Sequence, residues 1–598
     1  MVSAVYKTLR SAISSRYPAL TLTYHRERKS LKELGMAEPI ALFRSRDTLR
    51  QINQMAQARP QKNEALPSLD EDKLPAITVC IVTYNSEAWV RDWVKALADL
   101  NYPRPKLKLS WVDNGSTDET INQLNKALLE FEFKDFANTL IIQENLGFGA
   151  GQNLAVQKAE TNYVLIINPD AKLETNSLRY AVNFAVKDFD DISCWEFAQT
   201  PHEHPKYYDP VTLETSWNSH ACVLVKRSAF LKAGGYDETL FMYGEDVELS
   251  YKLRANGYRL RYLPKARVSH DTTPNPSRRQ EQESRCIAAN LLLRRRYGRL
   301  PDRIAGKLLL KLTSLRATPN AQETLESAKD IYSNLKFSFS PERPNGALFP
   351  FNGWEYDKRR LNTSTASKIK PINLAQKRET NPLVSIITRV HKNTPILYDA
   401  VNCVRNQTYS NIEHIIVFDG CEPLALDNII AVKSNQTGRS KAANRGAAAA
   451  KGKYLLFLDY DDLLFADHIE GLVNHLNTSS EAVCAYSYSW EGMARNRNKG
   501  TYVCLGLQNK METQFKPDAL THNNFFAIQS VLIKREAFET IGGFDITLEY
   551  CEDWDLWKRL LKLGEFASYP RLTSIYFTPA SLKDRILRSW SMARTDKH

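Results

Sequence analysis

Val223-Leu-Val-Lys-Arg-Ser-Ala-Phe230 returns 308 residues later as Val531-Leu-Ile-Lys-Arg-Glu-Ala-Phe538. The match runs on through Gly234-Gly-Tyr-Asp237-Glu-Thr-Leu240 and Gly542-Gly-Phe-Asp545-Ile-Thr-Leu548. After a one-residue gap, Gly244-Glu-Asp-Val-Glu-Leu249 pairs with Cys551-Glu-Asp-Trp-Asp-Leu556. Solenoid repeats have periods of roughly 20–50 residues, so a spacing this long means duplicated domains.

Towards the start of each copy, Pro75-Ala-Ile-Thr-Val-Cys-Ile-Val-Thr83 and Pro382-Leu-Val-Ser-Ile-Ile-Thr388 are β-branched runs leaving a proline. Each predicts a buried first strand. Trp89, Val90, Trp93, Val94 and Leu97 then recur at helical spacing, and a second apolar strand ends at Val112-Asp113. This β-α-β opening predicts an α/β protein with a mainly parallel, Rossmann-like, doubly wound sheet in each copy. The boundaries expected are a basic, partly helical extension at 1–72, domain one at 73–275, a helical bridge at 276–340, a linker at 341–380, domain two at 381–580 and a basic tail at 581–598.

Composition agrees with two cores. A chain of 598 residues is too long for one, and 43% hydrophobic with 25% charged residues excludes a fibre or a disordered chain. The net charge of +12 suits anionic partners such as nucleotides, nucleic acid or an anionic membrane face. Arg278-Arg279 and Arg294-Arg-Arg296 sit among polar helical positions with no base-reading motif, so nucleic acid is not the expected partner. The nine cysteines include no C-x-x-C pair, which argues against a disulfide framework or zinc site and for a reducing cytosol. No apolar run approaches the roughly 20 residues that span a bilayer, and no signal-type apolar core follows Lys7 and Arg10.

In open α/β sheets the ligand crevice lies beyond the carboxyl ends of the strands. There the first copy carries Thr83-Tyr-Asn85, Asp113-Asn-Gly-Ser-Thr117 and Asn168-Pro-Asp170; the second carries Thr388-Arg-Val-His391, Asp419-Gly420 and Asp459-Tyr-Asp-Asp462. Alternate carboxylates at a strand end can aim oxygen ligands at one hard cation, with phosphates and waters completing its shell. Aspartates after strands also start turns and cap helices. A second acidic element, Glu245-Asp246-Val-Glu248 and Glu552-Asp553-Trp-Asp555, opens a helix in each copy. Such carboxylates favour the helix macrodipole, and one held there can also take a proton from a sugar hydroxyl. A low pKa is expected at that position, so the proton must move as the new bond forms.

With these motifs in place the chain resembles, twice over and across roughly two thirds of its length, the family 2 glycosyltransferases of the GT-A fold. Domain one is similar to the rhamnosyltransferase or galactosyltransferase branch through Thr83-Tyr-Asn85, Asp113-Asn-Gly-Ser116, Asn145-Leu-Gly-Phe-Gly149 with Asn153, Asn168-Pro-Asp-Ala171, Gly244-Glu-Asp-Val-Glu248 and Val268-Ser-His270. Domain two resembles the broader family through Asn435, Gly438-Arg-Ser-Lys-Ala-Ala-Asn444-Arg-Gly446, Asp459-Tyr-Asp-Asp462 and Glu552-Asp553.

The resemblance implies inverting, metal-dependent hexosyl transfer from a nucleotide-diphosphate sugar, with Mg2+ or Mn2+ neutralising the departing diphosphate. Carried over by position, Asp170 holds the metal, His270 adds a metal contact, and Asp246 is the base with Glu245 beside it. Thr83, Asn85, Asp113, Asn145, Gly147 and Asn153 meet the nucleotide sugar, Asp113 at the base. In domain two the same reasoning gives Asp461 and Asp459 for metal, Asp553 as base beside Glu552, and Thr388, Asp419, Asn435, Arg439 and Asn444 for the nucleotide sugar. The implied acceptor is a growing, lipid-linked glycan of the O-antigen type. That would place the protein in the cytoplasm with peripheral contact at the inner face of the cell membrane.

Domain two departs from the pattern. Arg389-Val-His391 replaces Tyr-Asn, Asp419-Gly-Cys421 lacks Asn-Gly-Ser, and no equivalent of His270 is legible. A glycan-binding or scaffold role for that half is therefore the alternative reading. A sugar-nucleotide nucleotidyltransferase would carry a Gly-rich signature after the first strand, and Thr83-Tyr-Asn-Ser-Glu87 has no glycine. A glycoside hydrolase would need two carboxylates but no nucleotide-type acidic strand end, and ranks lower.

Overall fold

The computed structural model describes residues 70–133, 138–201, 203, 208–270, 276–298, 300, 303–304, 306–307, 321–335, 381–435, 438–495, 503–508, 515, 517–548 and 550–579. The expected linker at 341–380, the tail at 581–598 and almost all of the extension at 1–72 lie outside them.

Domain one runs β1 (Ile77–Thr83), α1 (Glu87–Ala98), β2 (Leu107–Asp113), α2 (Thr120–Glu130), β3 (Asn138–Ile142), α3 (Phe148–Lys158), β4 (Tyr163–Ile167), β5 (Ala171–Leu173), α4 (Ser177–Val186), β6 (Ile192–Pro201), β7 (Glu214–Thr215), β8 (Cys222–Lys226), α5 (Arg227–Lys232), α6 (Glu245–Ala255) and β9 (Arg259–His270). Two helices follow, α7 (Pro276–Tyr297) and α8 (Ala321–Asn334). Every residue of β1 is buried, as a continuous apolar run flanked by helices on both faces requires. Helix α1 buries Val90, Trp93, Val94 and Leu97. Trp89, expected in that stripe, is 44% exposed, because it falls about a quarter turn off the stripe's centre at 3.6 residues per turn.

Domain two repeats the plan with β10 (Val384–Val390), α9 (Leu397–Arg405), β11 (Ile412–Asp419), β12 (Ile430–Ser434), α10 (Arg439–Ala449), β13 (Tyr454–Asp459), β14 (Leu463–Leu464), α11 (His468–Thr478), β15 (Ala482–Arg495), β16 (Val503–Gln508), β17 (Val531–Lys534), α12 (Arg535–Thr540), α13 (Glu552–Leu560) and β18 (Glu565–Pro579). The sheet orders are β3-β2-β1-β4-β8-β6-β9-β5 and β12-β11-β10-β13-β17-β15-β18-β14, the same sequence of equivalents. The nucleotide-type half of each sheet is parallel, with β1 between β2 and β4 and β10 between β11 and β13. Antiparallel pairs enter from β8 and β17 onward, so each sheet is mixed.

Register fixes which residues of the two domains are equivalent. Ile77 pairs with Tyr163 and Val384 with Tyr454, and each tyrosine stands five residues before Asn168 or Asp459. Val82 therefore corresponds to Arg389, Thr83 to Val390, and Ile81 to Thr388. Likewise Thr83 pairs with Asp113 while Val390 pairs with Phe418, so Asp113 corresponds to Phe418 and Asn114 to Asp419.

The domains touch through polar contacts around a ring. Asn406 Nδ2 donates to the carbonyls of Pro210 and Val211 at 2.8 and 2.9 Å, and Arg267 pairs with Glu470 at 2.6 Å. Tyr208 accepts the Ala466 amide at its hydroxyl and packs edge-on against Phe465. Helix α7, from the expected bridge, packs on domain one itself. Arg296 near its end pairs with Glu248 at 2.6 Å and Asp237 at 2.8 Å, and Tyr297 donates to Glu248.

Candidate functional site

At the end of β1 and β2, Thr83, Asn85 and Asp113 form one connected loop. Asp113 is fully buried; Oδ1 accepts from the Ser116 amide and Oδ2 from the hydroxyls of Thr83 and Ser116, each at 2.7 Å. Asn85, at φ 48°, accepts the Thr117 amide on Oδ1 at 2.9 Å. Asn145 and Gly147 are tied in next door: Asn145 Oδ1 accepts the Gly147 amide, and the Gly147 carbonyl accepts from Asn114. These bonds tie the loops at the strand ends to one another.

Asn153 does something else. Its Oδ1 accepts the Tyr236 amide at 2.8 Å and its Nδ2 donates to the Tyr236 carbonyl at 3.0 Å. Asn444 makes the same two bonds to Phe544, at 2.9 and 2.8 Å. Both asparagines, expected to meet the nucleotide sugar, thus clamp the repeated Gly-Gly-aromatic turn, since a main-chain donor and acceptor engage both ends of each amide.

The metal-type residues of domain one do meet. Antiparallel pairing of β5 with β9 sets Ala171 opposite His270 and brings His270 Nε2 to 3.3 Å from Asp170 Oδ1. His270 Nδ1 lies 2.7 Å from Gln199 Oε1, and Gln199 Nε2 donates to Ser219. An amide oxygen only accepts, so Nδ1 carries the proton and Nε2, on the Asp170 side, is left to bind a cation. The Asp170 side chain is one third exposed and Asn168 Oδ1 beside it is buried without a hydrogen-bond partner. One carboxylate and one imidazole suit a divalent ion whose other ligands are diphosphate and water. No cluster of three or more His, Cys, Asp or Glu arranged for a metal occurs among the described residues. Gln199 was not legible as a site residue because only strand pairing between β6 and β9 brings it to His270.

Helix α6 opens at Gly244, at φ 98°, with Glu245 buried and Asp246 half-buried. A Cβ on Gly244 would stand 2.4 Å from Ala289 Cβ of α7, so that helix closes over the acidic motif. Burial, with Asp246's charge beside it, raises Glu245 to about 8, and its Oε2 has no hydrogen-bond partner. Glu245 therefore holds its proton well above the ordinary carboxylate range. Glu248 belongs to the packing of α7 and not to the crevice.

Domain two departs more than its sequence suggests. Thr388, expected at the strand end, is fully buried inside β10 and bonds His414 Nε2 at 2.8 Å, because β10 continues two residues further. Asp419 stands in the place of Asn114, accepting the Gly438 amide at 3.0 Å, while the Asp113 position holds buried Phe418. Asn435 and Arg439 are exposed on either side of Gly438. Leu463 pairs with Ile575, which sets Tyr576 where domain one has His270.

Asp459 is gripped by Arg389, whose Nε and Nη2 reach Oδ1 at 2.9 and 2.6 Å. The same guanidinium reaches Glu552 Oε1 at 3.0 Å through Nη1. Asp461 is half-buried, and Asp462 is buried with Oδ1 accepting the Phe577 amide. Asp553 accepts from Asn524 and from the Trp554 amide. Burial and then the Glu552 charge push Asp553 up to about 6, contrary to the low value expected at a helix start. A carboxylate tuned towards neutrality is a better general base.

The model of the family described as "Glycosyl transferase family 2" matches residues 78–247 and again 385–542. An uncharacterized glycosyltransferase of Rickettsia typhi is 31% identical over 210 residues, covering 33% of this chain and 61% of that protein. The N-acetylglucosaminyl-diphospho-decaprenol L-rhamnosyltransferase of Mycobacterium tuberculosis is 45% identical over 62 residues, covering 10% of this chain and 20% of that protein. Among solved structures, a mannosyltransferase of Pyrobaculum calidifontis in complex with GDP-Man and Mn2+ aligns at 18% identity and TM-score 0.34, covering 47% of this chain and 86% of that one. The chain thus spans less than two thirds of the length of the curated relatives it matches. With two matched regions that together make up more than half of its length, the chain belongs to glycosyltransferase family 2, twice over.

Proposed function

We propose that the chain is a bifunctional, inverting glycosyltransferase that moves sugars from nucleotide-diphosphate donors to a growing, lipid-linked surface glycan. The observation that carries this reading is the Asp170–His270 contact after β4, in a family 2 domain whose neighbouring strand β1 ends in the loop built by Thr83, Asn85 and Asp113. Asp170 and His270 would hold a divalent cation, which when bound supplies positive charge for the departing diphosphate. The loop of Thr83, Asn85, Asp113, Asn145 and Gly147 orients the nucleotide. Asp246 takes the proton of the acceptor hydroxyl while that oxygen bonds the anomeric carbon, and the electron pair of the breaking bond leaves with the diphosphate. In domain two Asp553 takes the corresponding proton.

The match to a rhamnosyltransferase over 62 residues supports the rhamnosyltransferase or galactosyltransferase branch for this reading. No described helix is long and apolar enough to cross a membrane. In this reading the lipid-linked acceptor is met by surface contact at the inner face of the cell membrane. A second reading, domain two as a glycan-binding module, is favoured by the Arg389 grip on Asp459.

The test is a panel of nucleotide sugars with defined acceptors, with and without Mg2+ or Mn2+. Asp246→Asn and Asp553→Asn are each expected to lower a different transfer by about 100-fold or more. If only Asp246→Asn has an effect, domain two is the binding module. Full transfer by both variants overturns the assignment of bases.

A further inference from the structure

Asp553 is held from outside its own helix. Asn524, on the segment ahead of β17, donates from Nδ2 to Asp553 Oδ2 at 3.1 Å, and its Oδ1 accepts the Phe526 amide at 3.2 Å. A main-chain N–H only donates, so the second bond fixes which end of the amide is oxygen and turns the NH2 to the carboxylate. The segment is anchored to α13 on both sides of this contact. The Leu520 carbonyl accepts Trp554 Nε1 at 2.6 Å, and the Phe526 ring meets Trp557 edge-on and lies 4.7 Å from Tyr486 between centroids. The other oxygen, Asp553 Oδ1, accepts the Trp554 amide at 2.8 Å. The carboxylate is thus fixed from two sides, and each oxygen keeps a second lone pair for an incoming proton.

Counting back seven residues from Val531 reaches Asn524, and the same count from Val223 reaches Ser216, which has no side-chain amide. The segment of domain one reaches the middle and end of α6: the Asn218 amide donates to Ser250 Oγ at 3.1 Å, and Arg254 donates to the Ser216 carbonyl at 3.4 Å. We infer that Asn524 is a positioning residue for transfer by domain two: its side-chain amide fixes the Asp553 carboxylate that receives the acceptor's proton. The inference rests on reading Asp553 as the base. A charge-assisted bond favours the ionised carboxylate, against the burial and the Glu552 charge that push Asp553 up to about 6. The other charge acting on Asp553 is Arg389 of β10, which also pairs with Glu552.

The experiment uses the full chain with Asp246→Asn, which silences the domain-one base. It follows release of nucleoside diphosphate from UDP-galactose, UDP-glucose, GDP-mannose and dTDP-rhamnose, with Mn2+ present and water as the acceptor. The water oxygen bonds the anomeric carbon, its proton passes to Asp553, and the electron pair of the sugar–phosphate bond leaves with the diphosphate. The rate should fall below about pH 6. Asn524→Asp keeps an oxygen for the Phe526 amide but sets a like charge against Asp553, and should move that acid limb up by about one pH unit or more. Asn524→Ala loses both bonds and should move it up by about half a unit. A mere loop anchor gives the reverse order: a lower rate at every pH for the alanine variant and no change for the aspartate one. Asp553→Asn leaving release unchanged fails the base reading and the inference with it. Asp553→Asn abolishing release while Asn524→Asp leaves the limb in place overturns the inference alone. Where no probe is hydrolysed, denaturant unfolding decides. The loss of domain-two stability in Asn524→Ala should grow as pH rises through about 6 and become independent of pH with Asp553→Asn. A loss that is flat with pH in the Asp553 chain overturns the inference.

Discussion

Domain one and domain two share strand order, register and the clamp of an asparagine on a Gly-Gly turn, yet they balance the charge beneath their crevices in opposite ways. Domain two pairs: Arg389 binds Asp459 and Glu552. Domain one neutralises: Val82 and Asn168 carry no charge, and burial raises Glu245 towards its protonated form. The surroundings of the acidic helix differ too. Glu248 and its equivalent Asp555 each pair within their helix with a cation four residues on, Lys252 and Arg559, and Glu248 alone of the two also reaches Arg296 of α7 among the ion pairs of the described residues. A duplicated fold can thus keep its backbone while each copy settles its buried charges independently, because a buried carboxylate must be ion-paired, hydrogen-bonded or protonated.

The strongest way to break this comparison is to remove the arginine alone. Arg389→Leu strands the buried Glu552 and the half-buried Asp459 and should cost domain two about 3 kcal/mol in denaturant unfolding, while Arg389→Val with Asp459→Asn, the domain-one set, should recover most of it. Equal losses for the single and double variants would mean the positions are not coupled. Next comes the residue before the acidic pair. Gly244→Ala should cost roughly 3 kcal/mol, from its left-handed backbone and the collision with Ala289.

The pH dependence is graded. Glu245 has an ordinary value of 4.5 and a folded value of about 8, so the unfolded chain loses this proton first. Its stabilising contribution is complete below 4.5 and is lost as pH rises to about 8, with a slope approaching about 1.4 kcal/mol per pH unit inside that window. Glu245→Gln should flatten that part of the stability profile of domain one; an unchanged profile would place the proton elsewhere. Smallest is Cys551→Gly. Cys551 holds φ 59° at the position of Gly244, and glycine should gain up to about 1 kcal/mol there, read as a rise in the domain-two melting temperature.

Much of this was legible in order along the chain. The 308-residue repeat, the buried first strands and the acidic strand ends all rest on local apolar periodicity and motif spacing, and Asp170 with His270 came together as their motifs implied. Matching Thr388 to Thr83 by residue type failed by two positions, since ladder pairing with β13, not the identity of a threonine, sets the end of β10. Gln199 behind His270 and α7 over Gly244 were invisible for the same kind of reason, being contacts between segments distant in sequence.

The sequence by itself determined the duplication, the α/β class and the two acidic elements of each half, because these depend on which residues follow one another. Tertiary structure alone decided what each acidic group does: Asp113 ties a loop, Glu248 anchors a helix, Glu245 keeps its proton and Asp459 grips an arginine. Burial and the nearest opposite charge govern a carboxylate's state, and both are set by neighbours that the chain brings from far away.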